Sequence, residues 1–402
     1  MKRSKWLTLL AMLLAVALVG AACGGDDGDD TDDAGGDTGA KDCTWTIGTM
    51  GALSGDYASI GQPIYNGLEY AVDHLNEAGE LACTLEIQKE DSQGNPDQAP
   101  PLAQSLVENE TLVAVVGPYF SGETLATGDI FNDAGIAFVT PSATNATIDD
   151  QGWGTFFRAV GDDEVQGTQA ANYLANGLGA STVAVVHDNQ DYSKGLADIV
   201  KSELGSAAKG PFIINPEETD YSAVVAQVKD SGADAVFYGG YAPQAGPLAQ
   251  QLSEAGVEAQ FLSDDGTKDN SFGELAGPGA AGAQVTCPCA DPNQVEGGAD
   301  FVSGMEEAYG EPPGTFAAEA YDAVHLVAEA LKDFTGDDAI EDVRAGIIEY
   351  LGGVEGYQGI VKPYTFSDTG NAEVGPEGIF VYEWDDAAGD FVIKGSVDEL
   401  AG

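Results

Sequence analysis

Between Gly117 and Thr144 the chain reads GPYFSGETLATGDIFNDAGIAFVTPSAT, two short apolar runs that each end in a turn of small residues, free backbone N–H groups and hydroxyls. Such a turn pair can hold a small zwitterion. Leu112–Val116 and 136–139 read as buried strands, with a helical length over 122–134 between them, so the unit is β-α-β with a parallel pair. Ser121 and Thr144 then share one sheet edge. Ligands of parallel α/β sheets bind outside the carboxyl ends of the strands, where a helix N-terminus adds unpaired N–H groups and partial positive charge suited to a carboxylate. Taken alone, the same hydroxyls have a simpler use: Ser121 caps its helix, and Ser142 and Thr144 close a turn.

Strand and helix patterns alternate along the rest of the chain. Residues 44–50 and Thr84–Asp91 read as strands. Over 62–77, Ile64, Leu68, Ala71, Val72 and Leu75 share one helical face, with Gly79 just past the end as a stop signal. A second series starts near Gly167: helix to 178, strand 182–187, helix 193–204, strand near 212–214, helix 222–230, strand 235–238, helix 244–255. Two βα series imply two doubly wound lobes. Apolar strands such as LVAVV and TVAVV need helices on both faces, the α/β arrangement.

Against this background, seven segments stand in a specific order: ALSGDYASIGQ with NGLEYAVDHLNEAG, GPYFSGET, TPSAT, VVHDNQDYSKGLA, VFYGGY and GTFAAEAYDAV. From Trp45 to about Trp384 the chain resembles the leucine/isoleucine/valine-binding proteins, the branched-chain amino acid-binding subunits of ABC transporters with the type I periplasmic-binding fold. The resemblance implies two doubly wound parallel-sheet lobes joined by three crossovers, near 159–163, 288–293 and 365–375. Lobe one is then 43–161 plus 289–370, and lobe two 162–288 plus 371–402. It implies a ligand carboxylate held by the hydroxyl and N–H of Ser121 and the N–H of Thr144. The ammonium is met by the carbonyl of Ser142, the hydroxyl of Thr144 and an acid at Asp265, with Ala143 in the same ligand-contacting turn. Tyr192 and Tyr241 match the second-lobe aromatics that close over the ligand, and Phe120, Ile60 and Phe316 form the apolar wall.

Three positions depart from the family pattern. Asp265 stands for a glutamate, so closure must be tighter, or a water must bridge, or Asp264 must substitute. Ile60 replaces a tyrosine and Phe120 a cysteine, which changes the shape of the side-chain pocket. Enclosing both charges of an amino acid costs several kcal/mol unless each finds charge-assisted partners, so the site must be bipolar. The implied function is capture of a neutral, branched-chain amino acid for an ABC permease, by a monomer without cofactor or metal. A binder of another small amide, urea or aromatic carboxylate, or a ligand sensor without transport, is the alternative. Enzyme motifs are missing: Ser121 sits in Tyr-Phe-Ser-Gly-Glu and not Gly-x-Ser-x-Gly, there is no HExxH or GxxxxGK[ST], and His74, His187 and His325 fall on separate elements.

The chain begins with Lys2, Arg3 and Lys5, an apolar stretch from Trp6 to Val19, and Gly20-Ala21-Ala22-Cys23. This reads as a secretory leader over 1–22, with Cys23 as the lipidation site of an extracytoplasmic, membrane-anchored lipoprotein, although Gly20 replaces the usual aliphatic residue of a lipobox. From Gly24 to Lys41 there are seven aspartates and no large apolar residue, so 23–42 reads as a lipidated cysteine and flexible tether spanning about 25 Å on average.

The whole sequence carries 15 basic and 67 acidic residues, a formal charge of −52. Loss of three basic residues with the leader makes it −55. So few Lys and Arg exclude a nucleic-acid surface. Four cysteines remain after Cys23. Cys43 and Cys83 begin neighbouring strands, where a bridge is geometrically reasonable. Cys287 and Cys289 must then pair locally or remain thiols; a metal role lacks a second Cys or His cluster. On the mapping that the resemblance implies, this pair falls at the second crossover, where a local disulfide could stiffen a hinge strand.

Overall fold

The computed structural model describes residues 43–402. The expected leader over 1–22 and the expected lipidation of Cys23 and tether over 23–42 lie outside the described residues. Among the described residues no helix is long and apolar enough to cross a membrane.

The first sheet contains β1 (Thr44–Gly51), β2 (Thr84–Asp91), β3 (Leu112–Val116), β4 (Ala137–Thr140) and β5 (Phe156–Arg158). Its order is β2-β1-β3-β4-β5, all parallel. The second sheet is built from β6 (Val183–His187), β7 (Ala208–Ile213), β8 (Ala235–Gly239), β9 (Gln260–Ser263) and β10 (Gln284–Cys287). A two-residue ladder, β11 (Tyr357–Gln358) and β12 (Pro363–Tyr364), precedes the last strands, β13 (Phe380–Asp385) and β14 (Asp390–Ser396). These last two complete the second sheet in the order β14-β13-β10-β9-β8-β6-β7, adding an antiparallel pair to a parallel core. Every residue of β3, β6 and β8 is buried, as strands covered by helices on both faces must be.

Helices from distant parts of the sequence cover the first sheet. In the helix Ala58–Ala78, a side chain at Gly67 would stand 2.0 Å from the carbonyl oxygen of Ala317, so glycine is what lets the helix Ala317–Leu331 pack against it. Arg344, in the helix Ile340–Gly352, donates from Nε to the carbonyl of Leu112 in β3 (2.8 Å).

The chain passes between the sheets three times, and the passages meet. A Cβ at Gly161 would lie 3.2 Å from both Pro288 Cβ and Val374 Cγ1, one residue from each of the other two passages. The first and third are also hydrogen-bonded: Arg158 N–H donates to Gly370 O (2.8 Å) and Ala372 N–H to Arg158 O (2.9 Å). The fully buried Arg158 guanidinium pairs with Asp149, donates to Asn371 Oδ1 (2.9 Å), and reaches the carbonyls of Ala143 (3.3 Å) and Asn145 (3.0 Å). One cation therefore ties two crossovers to the turn after β4.

Several elements differ in extent from the sequence reading. The helix expected from Gly167 starts at Asp163, because the Asp162 side chain accepts the Val165 N–H (3.1 Å) as an N-cap, and it ends in a π-helical turn over Tyr173–Gly177. β7 begins at Ala208 rather than near 212. Its Gly210-Pro211 resembles a loop, but β7 is the edge strand, where a missing donor is tolerated.

The structure joins Cys43 to Cys83, with Cα atoms 4.8 Å apart, at the start of β1 and β2, and Cys287 to Cys289 at the end of β10. The first bridge spans a sequence separation of 40, which by chain entropy corresponds to about 4 kcal/mol. Mass spectrometry of the exported, non-reduced protein is expected to find the Cys43–Cys83 peptide pair. Replacing both cysteines by serine is expected to lower unfolding free energy by about 2–4 kcal/mol in chemical denaturation.

Candidate functional site

The carboxyl ends of the two sheets face a shared cleft. On the lobe-one side, Phe120 is extended (φ −107°, ψ 144°) and the helix Ser121–Asp133 starts immediately after it. Ser121 is thus the first helical residue and not the cap. Its hydroxyl accepts the N–H of Asn145 (3.2 Å), which leaves its proton free to donate into the cleft. The turn after β4 is stitched to the loop after β3: Thr140 Oγ1 donates to Pro118 O (2.7 Å) and Ser142 Oγ to Tyr119 O (2.7 Å). Glu123, in the first turn of the helix, is fully buried against Ser92 and the Phe120 N–H (3.3 Å), and burial raises its carboxyl to about 7.

Lobe two supplies the opposite wall. Tyr192, in the first turn of the helix Asp191–Leu204, donates its hydroxyl proton to Asp265 Oδ1 (2.9 Å) and accepts the Gly266 N–H (3.3 Å). Asp264 turns away and accepts the Gly240 N–H on Oδ2 (2.9 Å), so of the two adjacent acids Asp265 is the one that lines the cavity. A Cβ at Gly266 would come within 2.9 Å of the Gly240 carbonyl, Tyr192 and Tyr241; only glycine lets both rings close down here.

A cavity lies between these walls, lined by Ile60, Tyr119, Phe120, Ser121, Ser142 and Phe316 from the lobe-one side and by Tyr192, Tyr241, Asp265 and Gly266 from the other. Phe316 reaches it from a left-handed backbone (φ 65°), a conformation rare for a bulky residue and concentrated at functional sites. Phe120 meets Tyr241 across the cleft at 5.4 Å between centroids, and Tyr241 packs on Tyr192 within lobe two at 5.1 Å. The cavity volume is about 20 Å³, room for about one water molecule. This is a closed cleft. A larger ligand enters only when the lobes part and the rings move.

Eight of the residues singled out from sequence thus share one cavity: Ser121, Ser142, Tyr192, Tyr241, Asp265, Phe120, Ile60 and Phe316. Ala143 and Thr144 do not line it. Ala143 faces the lobe-one core, its carbonyl held by Arg158, and Thr144 is buried with its carbonyl accepting the Asp163 N–H (2.8 Å). Tyr119, in GPYFSGET, and Gly266, beside Asp265, also line the cavity, and nothing in their residue types marks them in the sequence. Tyr119 is also fixed from behind, its hydroxyl 2.6 Å from Thr49 Oγ1.

The cleft floor is acidic. Asp163, Asp264 and Asp265 are all buried, and desolvation raises each carboxyl above its ordinary value, Asp265 to about 6. Hydrogen bonds from Gln166 and Tyr192 offset part of the shift at Asp265. Among the described residues no group of three or more His, Cys, Asp or Glu is arranged to hold a metal ion.

Two α/β lobes, joined by three strands and closed over a cavity with hydroxyls at one end and a buried carboxylate at the other, define a two-lobed solute-binding protein. The chain belongs to the periplasmic binding protein family, whose model matches residues 44–390. It is 32% identical over 345 residues to an amino acid binding protein of Pseudomonas aeruginosa, covering 85% of this chain and 90% of that one. To the Leu/Ile/Val-binding protein of Escherichia coli K12 it is 32% identical over 338 residues, 83% of this chain and 89% of the other. A solved branched-chain amino acid transporter substrate-binding protein from Streptococcus pneumoniae, in complex with isoleucine, superposes with a TM-score of 0.77 at 27% identity, over 88% of this chain and all of that one. These relatives are binding proteins, and the chain is a binding protein rather than an enzyme. Its family works outside the cytoplasm.

The buried acids give the ligand-free protein an inverted pH response. The folded-state values of Glu123 (about 7), Asp322 (about 7) and Asp265 (about 6) lie above ordinary carboxylate values, with burial the largest cause in each. Between pH 8 and 5 these three acids therefore take up protons in the folded chain that they do not take up in the unfolded chain, which outweighs the opposing effect of His187 and His325, kept neutral by burial, so stability rises as pH falls. The gain is complete once pH drops below the unfolded values. Melting temperature measured from pH 8 to 5 without ligand is expected to increase.

Proposed function

We propose that this protein is a lipid-anchored, extracytoplasmic receptor that captures a neutral, branched-chain amino acid by closing its two lobes and hands it to the membrane permease of an ABC importer. The observation that carries the reading is the polarity of the cavity. Ser121 at a helix N-terminus and Ser142 in the turn after β4 stand on one side, Asp265 on the other, and Ile60, Phe120 and Phe316 supply apolar wall. In this reading the Ser121 hydroxyl and the first N–H groups of its helix take the ligand carboxylate, while Asp265 and the Ser142 carbonyl take the ammonium. Thr144 and Ala143 contribute by holding the turn in place. The shorter Asp265 is accommodated by close approach of the lobes, consistent with the small closed cavity.

A simple carboxylate, aromatic or aliphatic, would face repulsion from Asp265 unless the group were protonated, and this disfavours the carboxylate among the alternative ligands. The relatives that bind leucine, isoleucine and valine support the substrate class. Leader-like residues ending in Gly20-Ala21-Ala22-Cys23 support the anchor. Differential contacts with the closed state, and no chemical step, supply the energy of closure.

Titration calorimetry of the purified protein against the twenty amino acids is expected to give its tightest binding with leucine, isoleucine or valine. Absence of a response to all three contradicts the substrate assignment. Deleting the protein is expected to lower the initial rate of uptake of the bound amino acid; an unchanged rate points to a sensor without transport.

A further inference from the structure

We propose that Tyr57 is a positioning residue that latches the two lobes together and seals the ligand cavity from solvent, an inference that rests on reading the cavity as the ligand site. Tyr57 precedes the helix Ala58–Ala78 on lobe one, and its side chain reaches across the cleft. Its hydroxyl accepts hydrogen bonds from Gln190 Nε2 (3.2 Å) and Gln244 Nε2 (3.4 Å), both on lobe two. Those amides are themselves oriented from within lobe two. Gln190 Nε2 also donates to Asp188 Oδ2 (2.8 Å), and Gln244 Nε2 to the carbonyl of Pro216 (3.3 Å).

The ring makes the second half of the latch. It packs edge-on against Phe120 (6.0 Å) and Tyr241 (5.3 Å), and Phe120 and Tyr241 line the inner cavity, whereas Tyr57 does not. On the other side of these three rings lies a solvent groove of about 680 Å³ between the lobes, bordered by all three. The rings of Tyr57, Phe120 and Tyr241 are therefore the partition between groove and cavity. Tyr57 holds that partition shut by two bonds that exist only when the lobes are together. Ile60, where the family pattern has a tyrosine, lines the cavity three residues further on; here the neighbouring tyrosine supplies an aromatic ring to the cleft from outside the cavity.

A latch slows ligand escape without changing capture. Tyr57→Phe keeps the ring and removes the acceptor. With leucine as probe in stopped-flow measurements, it is expected to raise koff about tenfold, as loss of two neutral hydrogen bonds implies, with kon within twofold. The Gln190→Ala/Gln244→Ala variant is expected to raise koff similarly, and adding Tyr57→Phe to it is expected to change nothing further. An unchanged koff in Tyr57→Phe, or fully additive effects, overturns the latch. Fluorescent labels at the exposed positions Glu110 and Asp230, one on each lobe, provide a readout without ligand. If leucine does not bind, its assignment as substrate fails, and the latch is judged on these labels. The closed population of the ligand-free protein is expected to fall in Tyr57→Phe, and identical distance distributions overturn the proposal.

Discussion

A carboxylate enclosed away from water must find a proton or a cation, and the closed cleft of this protein encloses Asp265 with only neutral donors beside it. Tyr192 supplies a hydroxyl at 2.9 Å, and Asp264 and Asp163 add further acid to the same floor. Neutral hydrogen bonds offset part of the desolvation cost, and the raised carboxyl of Asp265 shows that part remains. A ligand ammonium placed there contributes attraction that only the closed state can deliver, because opening returns the carboxylate to water. In the function proposed here, the charge that is costly in the empty closed form is the charge that favours closure around an amino acid.

The fold serves this arrangement by keeping each half of the site rigid while letting the halves separate. On lobe one, hydrogen bonds from Thr140 and Ser142 fasten the turn after β4 to the loop after β3, and Arg158 clamps the same turn to the crossovers. On lobe two, Asp264 anchors the Gly240 loop while Tyr192 anchors Asp265 and Gly266. The three passages between lobes converge at Gly161, Pro288 and Val374, the place where a hinge between two rigid halves would lie.

Much of this was legible in the sequence because buried parallel strands announce themselves. LVAVV and TVAVV have no polar alternation, and their turns carry the hydroxyls and small residues that a sheet-edge site requires. The cavity residues Ser121, Ser142, Tyr192, Tyr241, Asp265, Phe120, Ile60 and Phe316 were named through a resemblance whose motifs keep their order. What sequence could not supply was which side of a turn faces the cleft. Ala143 and Thr144 occupy the right turn without lining the cavity, their carbonyls taken by the Arg158 guanidinium and the Asp163 N–H. Tyr57, in ALSGDYASIGQ, carries no local signal of its contacts, which are made with Gln190 and Gln244, more than 130 residues away. The start of the helix at Asp163 was missed because its signal is one capping aspartate among adjacent acids.

The central claim is that Asp265 recognises the ligand's ammonium, and the direct test compares two ligands on two proteins. Leucine and its analogue lacking the amino group, 4-methylpentanoate, are titrated into wild type and Asp265→Asn, which keeps the side-chain shape and removes the charge. Wild type is expected to prefer leucine, and the variant to lose about 10- to 100-fold of that preference, the size of a charge-assisted hydrogen bond. A preference for leucine that is the same in both proteins contradicts the account.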